Sequence, residues 1–367
     1  MDNNKIQVAF AAIEKDYETY IPSFEERETI KSYVSYGKDN NIPDYLYGLY
    51  TDVSTLKTII NGTADYVCGD DVICNIKGFE TEVNTKGDTM RDLINLCARD
   101  WLIYGGFAIQ IIRNKVGEVR ELYYMDFRYL RSSKKNEVFY YSEEYNRKYA
   151  RSSKTIIYPK FVRENKNDSS SILYVTNEKS KTYPTPRYSG ALKACEIEKN
   201  IDTYHLSSLE NGFGGSYVLN FLNGIPTDEQ KAEIERNVNE KFCGSSNAGR
   251  VLINFANGKD NATTLDKLDV DDFGAKYESL AKRSREQIFV AFAAQPILFG
   301  LMKENSGFSQ DEYLQAFALY NRTVVRPISQ KITDSIDKIF GNKKSVSIVP
   351  FSLNNVEEEN NGEKIIN

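Results

Sequence analysis

Two stretches set the terms on which this chain can fold. In "RYSGALKACEIEKNIDTYHLSSLENG", Ala191, Ala194, Ile197, Ile201 and Leu209 recur at helical spacing as a wide apolar face, and Lys193, Glu196, Asn200, Thr203 and Ser207 form a polar stripe opposite. In "VDDFGAKYESLAKRSREQIFVAFAA" the helical period continues from about Val270 to Ala294. The first helix, over 188–211, is expected to be about 30 Å long. Helices of this kind carry more apolar face than each can offer the other. Cover from neighbouring copies, and so a closed homo-oligomeric ring, is the expected solution.

Between them, 212–269 reads as an inserted unit. "GGSYVLNFLNG" is a strand bounded by glycines, and "PTDEQKAEIERNVNEKFCG" is a helix with a Thr227/Gln230 capping-box pattern, an Ile234, Val238, Phe242 stripe and a Gly244 stop. "GRVLINFANGKDNATTLDKL" gives a strand, an Asn257-Gly258 turn and a shorter strand. The strands, Val251–Phe255 among them, are expected to lie at edges and to be able to pair across subunits.

The region before Pro184 and Pro186 reads as an α+β domain over about 30–187. "TDVSTLKTIINGTADYVCG" places Leu56, Ile59, Ile60 and Ala64 on one helical face, and "VICNIKGF" follows as a strand. "DTMRDLINLCARDWLIYGG" is a helix through Met90, Leu93, Ile94, Cys97 and Trp101, followed by two strands around a turn at Asn114–Gly117. Tyrosine-rich short strands complete the domain.

After the second long helix the pattern breaks in an unusual way. Pro296 stops the helix, and Ser309 with Glu312 restarts one, yet the segment between holds Ile297, Leu298, Phe299, Leu301 and Met302. Connections between helices usually need about two to eight residues, and apolar ones need a reason. Beyond it, Pro327 is expected to bend or divide the closing helix, Gly341 to end it, and "SVSIVPFSL" to form a last strand. The acidic, Asn-rich 354–367 reads as a mobile tail.

Composition narrows the function. With 41% hydrophobic and 27% charged residues this is an ordinary folded chain, and its net charge of −5 argues against broad attraction to nucleic acid. No window is long and apolar enough to span a bilayer, and the N-terminus lacks a basic segment before its short apolar run, so no membrane partner and a cytosolic chain are expected. The five cysteines, Cys68, Cys74, Cys97, Cys195 and Cys243, lack CxxC spacing and suit reduced thiols rather than a metal site. His205, the single histidine, has no nucleophile motif around it. "GFGGSY" lacks the phosphate-loop pattern and precedes a strand; Asp70-Asp71 and Asp271-Asp272 resemble carboxylate pairs for metal binding, and the second stands at a helix start, where capping is the simpler reading. No cofactor and no metal are expected. The basic cluster Lys276, Lys282, Arg283 and Arg285 either touches phosphates or forms ion pairs, and the net charge favours the second. The polar stripe on 188–211 lines a channel or faces solvent.

The order and spacing of "YPTPRYSGALKACEIEKNI", "LENGFGGSYVLNF", "KFCGSSNAGRVLIN", "REQIFVAFAAQPILFG", "NSGFSQDEYLQAF" and "VVRPISQKITDSID" resemble those of bacteriophage portal proteins, the rings at one vertex of tailed-phage capsids. The resemblance covers about 45–353 and is strongest over 184–340. It implies an α+β, portal-like fold with an N-terminal wing (1–187), stem helices (188–211 and 270–294), a small clip (212–269), a tunnel loop (295–308) and a closing wing helix and strand (309–353). Gln295-Pro296 departs from the more frequent Val-Pro-Pro type of turn, and the short C-terminal remainder implies a crown that is short or absent.

That resemblance implies a non-enzymatic head-tail connector, dodecameric as the family usually is, that passes double-stranded DNA during packaging and ejection. Its partners would be its own copies, the large terminase ATPase, the major capsid or scaffolding protein, and a head-tail adaptor; it would reside in the virion after assembly in the host cytoplasm. The tunnel-loop tip would be Lys303, Glu304, Asn305 and Ser306, with Ile297, Leu298, Phe299 and Leu301 packing between subunits. Terminase would dock near Thr227, Asp228, Glu229, Asn247 and Arg250. Two rival readings are a metal-dependent nucleic-acid enzyme and a ring-forming structural protein outside phage heads.

Overall fold

The computed structural model describes residues 21–29, 32–143, 145, 155–210, 217–221, 226–242, 251–255, 273–301 and 310–351. The chain divides into two compact units, a larger one holding Ile21–Cys195 with the part from Arg285 onward, and a smaller one holding Glu196–Ser284. Both divisions fall inside the long helices.

The larger unit begins with a short antiparallel pair, β1 (Arg27–Glu28) and β2 (Val34–Ser35). Helix α1 (Ile42–Asp52) follows, with Pro43 in its first turn and Ile42, Leu46, Leu49 and Tyr50 buried. After it, α2 (Ser54–Cys68) buries Leu56, Ile59, Ile60 and Ala64, as its spacing requires, and ends at Gly69. Strand β3 (Asp71–Cys74) leads to α3 (Met90–Tyr104), opened by a capping box in which Thr89 Oγ1 accepts from the Asp92 amide and the Asp92 carboxylate accepts from the Thr89 amide. Gly105 closes α3 at φ 88°, and a Cβ there would meet the Thr185 carbonyl at 2.8 Å, so a residue without one is needed.

From that glycine the chain enters β4 (Gly106–Arg113), which is almost wholly buried because it is the centre of an antiparallel sheet between β5 (Val119–Met125) and a later strand. The turn falls where the spacing places it, with the Gly117 amide donating to the Asn114 carbonyl. A second sheet orders β6 (Leu130–Ser132), β7 (Val138–Tyr141) and β8 (Ile156–Pro159) side by side, and β9 (Ser170–Thr176) supplies the far edge of the first.

The exit from this region is bolted rather than loose. The Tyr36 and Tyr183 rings stack at 4.2 Å, the Tyr36 hydroxyl donates to the Pro184 carbonyl at 2.8 Å, and the Tyr183 hydroxyl donates to the Val34 carbonyl. Beside them Arg131, 1% exposed, gives its guanidinium protons to the carbonyls of Arg128, Leu130 and Asn40 and to Asn40 Oδ1. A buried guanidinium needs such satisfaction, so this cluster pins three chain segments at once.

Helix α4 (Leu192–Glu210) carries the chain into the smaller unit, where β10 (Tyr217–Phe221), α5 (Asp228–Phe242) and β11 (Val251–Phe255) form a strand–helix–strand unit. The two strands pair parallel in register Tyr217↔Val251 to Phe221↔Phe255. The expected capping box is present: the Thr227 amide donates to Gln230 Oε1 and the Gln230 amide to Thr227 Oγ1. The shorter strand after Asn257-Gly258 lies outside the described residues.

Helix α6 (Phe273–Phe292) returns to the larger unit, where α7 (Gln310–Tyr320) runs through a π-helical turn, Asn321–Val325, into α8 (Arg326–Phe340). Pro327 divides the helix as expected, and it does so through this wider turn, in which the Arg326 amide donates to the Asn321 carbonyl. Gly341 ends α8 and β12 (Val346–Val349) pairs antiparallel with β3. The core of the larger unit lies where α2 and α3 pack against α8, lined by Ile59, Ile60, Ile94, Ile332 and Ile336. The tail 354–367, and with it any crown, lies outside the described residues.

Candidate functional site

The stretch between α6 and α7 is where the sequence is least like ordinary core. Ala293 leaves the helix in the left-handed region at φ 52°, and its amide donates to the Val290 carbonyl. Gln295 is extended, and Pro296–Phe299 make one 3-10 turn closed by Gly300 at φ 82°. Proline suits that first position because its missing N–H would have no partner there. The Leu301 amide then donates to the Pro296 carbonyl at 3.1 Å.

The turn sits on one face of α2. Phe299 lies against Gly62, where a Cβ would come within 3.0 Å of its ring, and it meets Tyr66, Phe289 and Tyr320 at 6.2, 6.0 and 5.8 Å between ring centroids. Glycine in a helix interior costs about 1 kcal/mol relative to alanine, and room for Phe299 is what that cost provides at Gly62. The Tyr66 hydroxyl donates to the Leu298 carbonyl at 3.0 Å. Thr63 Oγ1 donates to the Ile59 carbonyl at 2.6 Å, so at 2.7 Å the Tyr320 hydroxyl is the donor to Thr63. Burial pushes the Tyr320 hydroxyl up to about 12 and raises that of Tyr66 further, helped by Tyr313, so both stay protonated as donors at neutral pH.

The apolar residues of the turn were expected to pack against a neighbouring subunit. Within its own protomer Leu298 is 7% exposed, with Ile297 and Phe299 half-buried against the same core. The reason is the floor that α2 and α7 provide through Gly62, Tyr66, Phe317 and Tyr320. Leu301, at 38% exposure, is the member of the set that faces outward. The tip residues Lys303, Glu304, Asn305 and Ser306 lie outside the described residues, between Leu301 and Gln310.

The other expected site residues are spread out. Thr227, Asp228 and Glu229 are exposed at the start of α5, with Asp228 bridged to Lys231 at 3.1 Å, whereas Asn247 and Arg250 lie outside the described residues. Lys282, Arg283 and Arg285 are exposed on α6, and the side chain of Lys276 is not among those described. On the polar stripe of α4, Lys193, Asn200 and Thr203 are exposed and Glu196 is half-buried; Ala191, Ala194 and Ile201 are buried opposite. His205 stands edge-on to the stacked pair Tyr204 and Tyr277. Among the described residues no group of three or more His, Cys, Asp or Glu side chains could hold a metal ion, and no helix is long and apolar enough to cross a membrane. Cys68 and Cys97 are buried, and burial raises both thiols above their usual range, Cys68 to about 11.

What sequence reasoning missed here is the partner surface. Gly62, Thr63 and Tyr66 repeat at i, i+1 and i+4 on α2. The signal was a glycine and two hydroxyl residues on an otherwise aliphatic helix.

The mixed helix-and-strand fold of this chain is shared with several solved structures. It aligns with the structure described as the neck of a native gene transfer agent particle computed with C12 symmetry, at TM-score 0.52 and 15% identity over 92% of this chain and 90% of that one. It aligns with the virion of a native gene transfer agent particle at TM-score 0.53 and 13% identity, covering 94% and 93%. An HK97 family phage portal protein from Corynebacterium diphtheriae aligns at TM-score 0.50 and 8% identity, covering 83% and 94%. The family model described as phage portal protein matches residues 81–364, more than half of the chain, which therefore belongs to the phage portal protein family. In sequence it is similar to an uncharacterised protein of Rickettsia bellii (strain RML369-C), 27% identical over 43% of this chain, and to one of Rickettsia felis (strain ATCC VR-1525 / URRWXCal2), 29% identical over 36%. The chain spans 41% and 33% of the lengths of these two curated relatives.

Proposed function

We propose that the chain is the subunit of a ring, dodecameric in its mature form, at one vertex of a phage capsid or gene transfer agent head, through which double-stranded DNA enters and leaves. The observation that carries this reading is the family match over 81–364. In it, Ile21–Cys195 and the closing helices serve as the wing, α4 and α6 as the stem, and the β10–α5–β11 unit as the clip. The segment 295–308 is the tunnel loop, with Lys303, Glu304, Asn305 and Ser306 toward DNA. One Lys beside one Glu gives little net attraction, which suits a duplex that must slide, because contacts that release many counterions would hold it.

The role is mechanical rather than catalytic. Terminase docks on the clip near Thr227, Asp228, Glu229, Asn247 and Arg250, and a head-tail adaptor binds after packaging. Tyr204, Leu206, Leu280 and Val290, at 50%, 58%, 38% and 78% exposure, put apolar surface on the two stem helices that neighbouring copies would cover, which supports a ring. Electron micrographs of the purified protein are expected to show rings with a central hole. Monomers alone, across salt and protein concentration, would sink the reading.

A further inference from the structure

Tyr66 stands where the chain's most distant parts meet. Its ring is edge-on to Phe299 in the turn, to Phe317 on α7 and to Phe351 beyond β12, at 6.2, 5.5 and 5.8 Å. Phe317 and Phe351 also meet each other at 5.7 Å. The Tyr66 hydroxyl donates to the Leu298 carbonyl, and the Tyr313 hydroxyl on α7 lies 3.5 Å from it. Leu298 and Leu301 lead into one end of segment 302–309 and Tyr313 and Phe317 lead out of the other, so a single side chain on α2 contacts both stems. Helix α2 is itself fixed, with Ile59, Ile60, Ala64 and Val67 wholly buried.

We propose that Tyr66 is a positioning residue that holds the DNA-facing loop by both stems, and that through Phe351 it ties the loop's base to the chain's C-terminal segment. This rests on the loop reading given above. The Leu298 carbonyl is at the end of a 3-10 turn, where carbonyls lack a partner in the helix, and the phenol supplies one. Gly62, one turn earlier, supplies the notch in which Phe299 registers. The loop is thus seated by a hydroxyl and by a missing methyl.

Tyr66→Phe deletes the hydroxyl and keeps the ring, and Gly62→Ala narrows the notch while raising helix propensity. Both are expected to form rings and to melt close to the parent. In Tyr66→Phe, hydrogen exchange of the amides from Leu298 to Leu301 is expected to speed up about fivefold, the size of one lost hydrogen bond, and in Gly62→Ala, which crowds Phe299, it is expected to speed up as well. Particles built with either variant are expected to retain less DNA. Unchanged exchange in both variants overturns the seat, and faster exchange with normal DNA retention overturns its role in positioning the loop. Shortening Lys303–Gly307 separates this from the functional reading. If the shortened loop retains DNA normally, the tunnel-loop reading fails. If shortening matters and Tyr66→Phe does not, the positioning proposal fails alone.

Discussion

At Asp100 burial and charge conflict. It lies on α3 at 4% exposure, accepting from the Tyr124 hydroxyl at 3.0 Å and the Phe127 amide at 3.3 Å, with Asp126 as a like-charged neighbour and Arg99 as a weak counterweight. Burial, then Asp126, holds its carboxyl well above the usual carboxylate range, and burial raises Asp126 as well. A raised carboxyl binds its proton more tightly in the folded than in the unfolded state. Its contribution is therefore full below pH 3.8, the ordinary value, and is lost as pH rises toward the folded value. One such group tilts stability by at most about 1.4 kcal/mol per pH unit. Urea unfolding followed upward from about pH 4 should show stability falling, and Asp100→Asn should flatten the slope. An unchanged slope in the variant would assign the effect elsewhere. None of this was legible from spacing: Asp100 sits among apolar positions of a helix, and only the fold shows that it turns toward Tyr124 rather than to water.

The π turn is the informative element. Residues Asn321–Val325 hold one more residue than an α turn would need, and on either side Tyr320 is hydrogen-bonded to Thr63 while Ile328, Ile332 and Ile336 fill the core. Packing on both flanks fixes the phase, and the extra residue absorbs the difference next to Pro327. Deleting Thr323, whose side chain is exposed, should close the π turn into an α turn that keeps both flanks in phase but brings the Pro327 ring against the carbonyl four residues before it, at a cost of about 3 kcal/mol in denaturant unfolding. Thr323→Ala should cost under about 0.5 kcal/mol; equal effects would mean that the wider turn does not relieve the proline. Elements with strong punctuation were readable in advance. Helix α3 between Thr89 and Gly105, α5 behind Thr227, and the division at Pro327 all follow from local rules. Helix α1 escaped notice because its Ile42, Leu46, Leu49 and Tyr50 stripe is broken up by Gly48 and Tyr47, although Asn41 and Pro43 mark its start. The 3-10 turn after Pro296 escaped notice because its stability comes from α2, more than 200 residues earlier in the chain.

At the scale of the molecule, the described residues of the smaller unit come from one stretch of chain, Glu196–Ser284, and those of the larger unit come from two. Removing 212–269 and rejoining the helices is expected to leave the melting of the larger unit within about 1 kcal/mol of the parent and to abolish terminase binding. Loss of all cooperative unfolding would show that the unit belongs to the common core. The larger unit depends instead on β12, which pairs with β3 across about three quarters of the sequence, and on α8, whose Ile332 and Ile336 complete the core begun by α2 and α3. During translation this imposes an order. The ribosome delivers residues at about 5–20 per second, so Ile59, Ile60 and Ile94 wait many seconds for the segments that cover them, while β10, α5 and β11 can assemble as they emerge. A nascent chain halted before Val346 therefore presents a sticky, unfinished larger unit while the strand–helix–strand unit is already complete. Chaperone demand and vulnerability to proteolysis should be concentrated in that interval, and they end only when the last strand arrives.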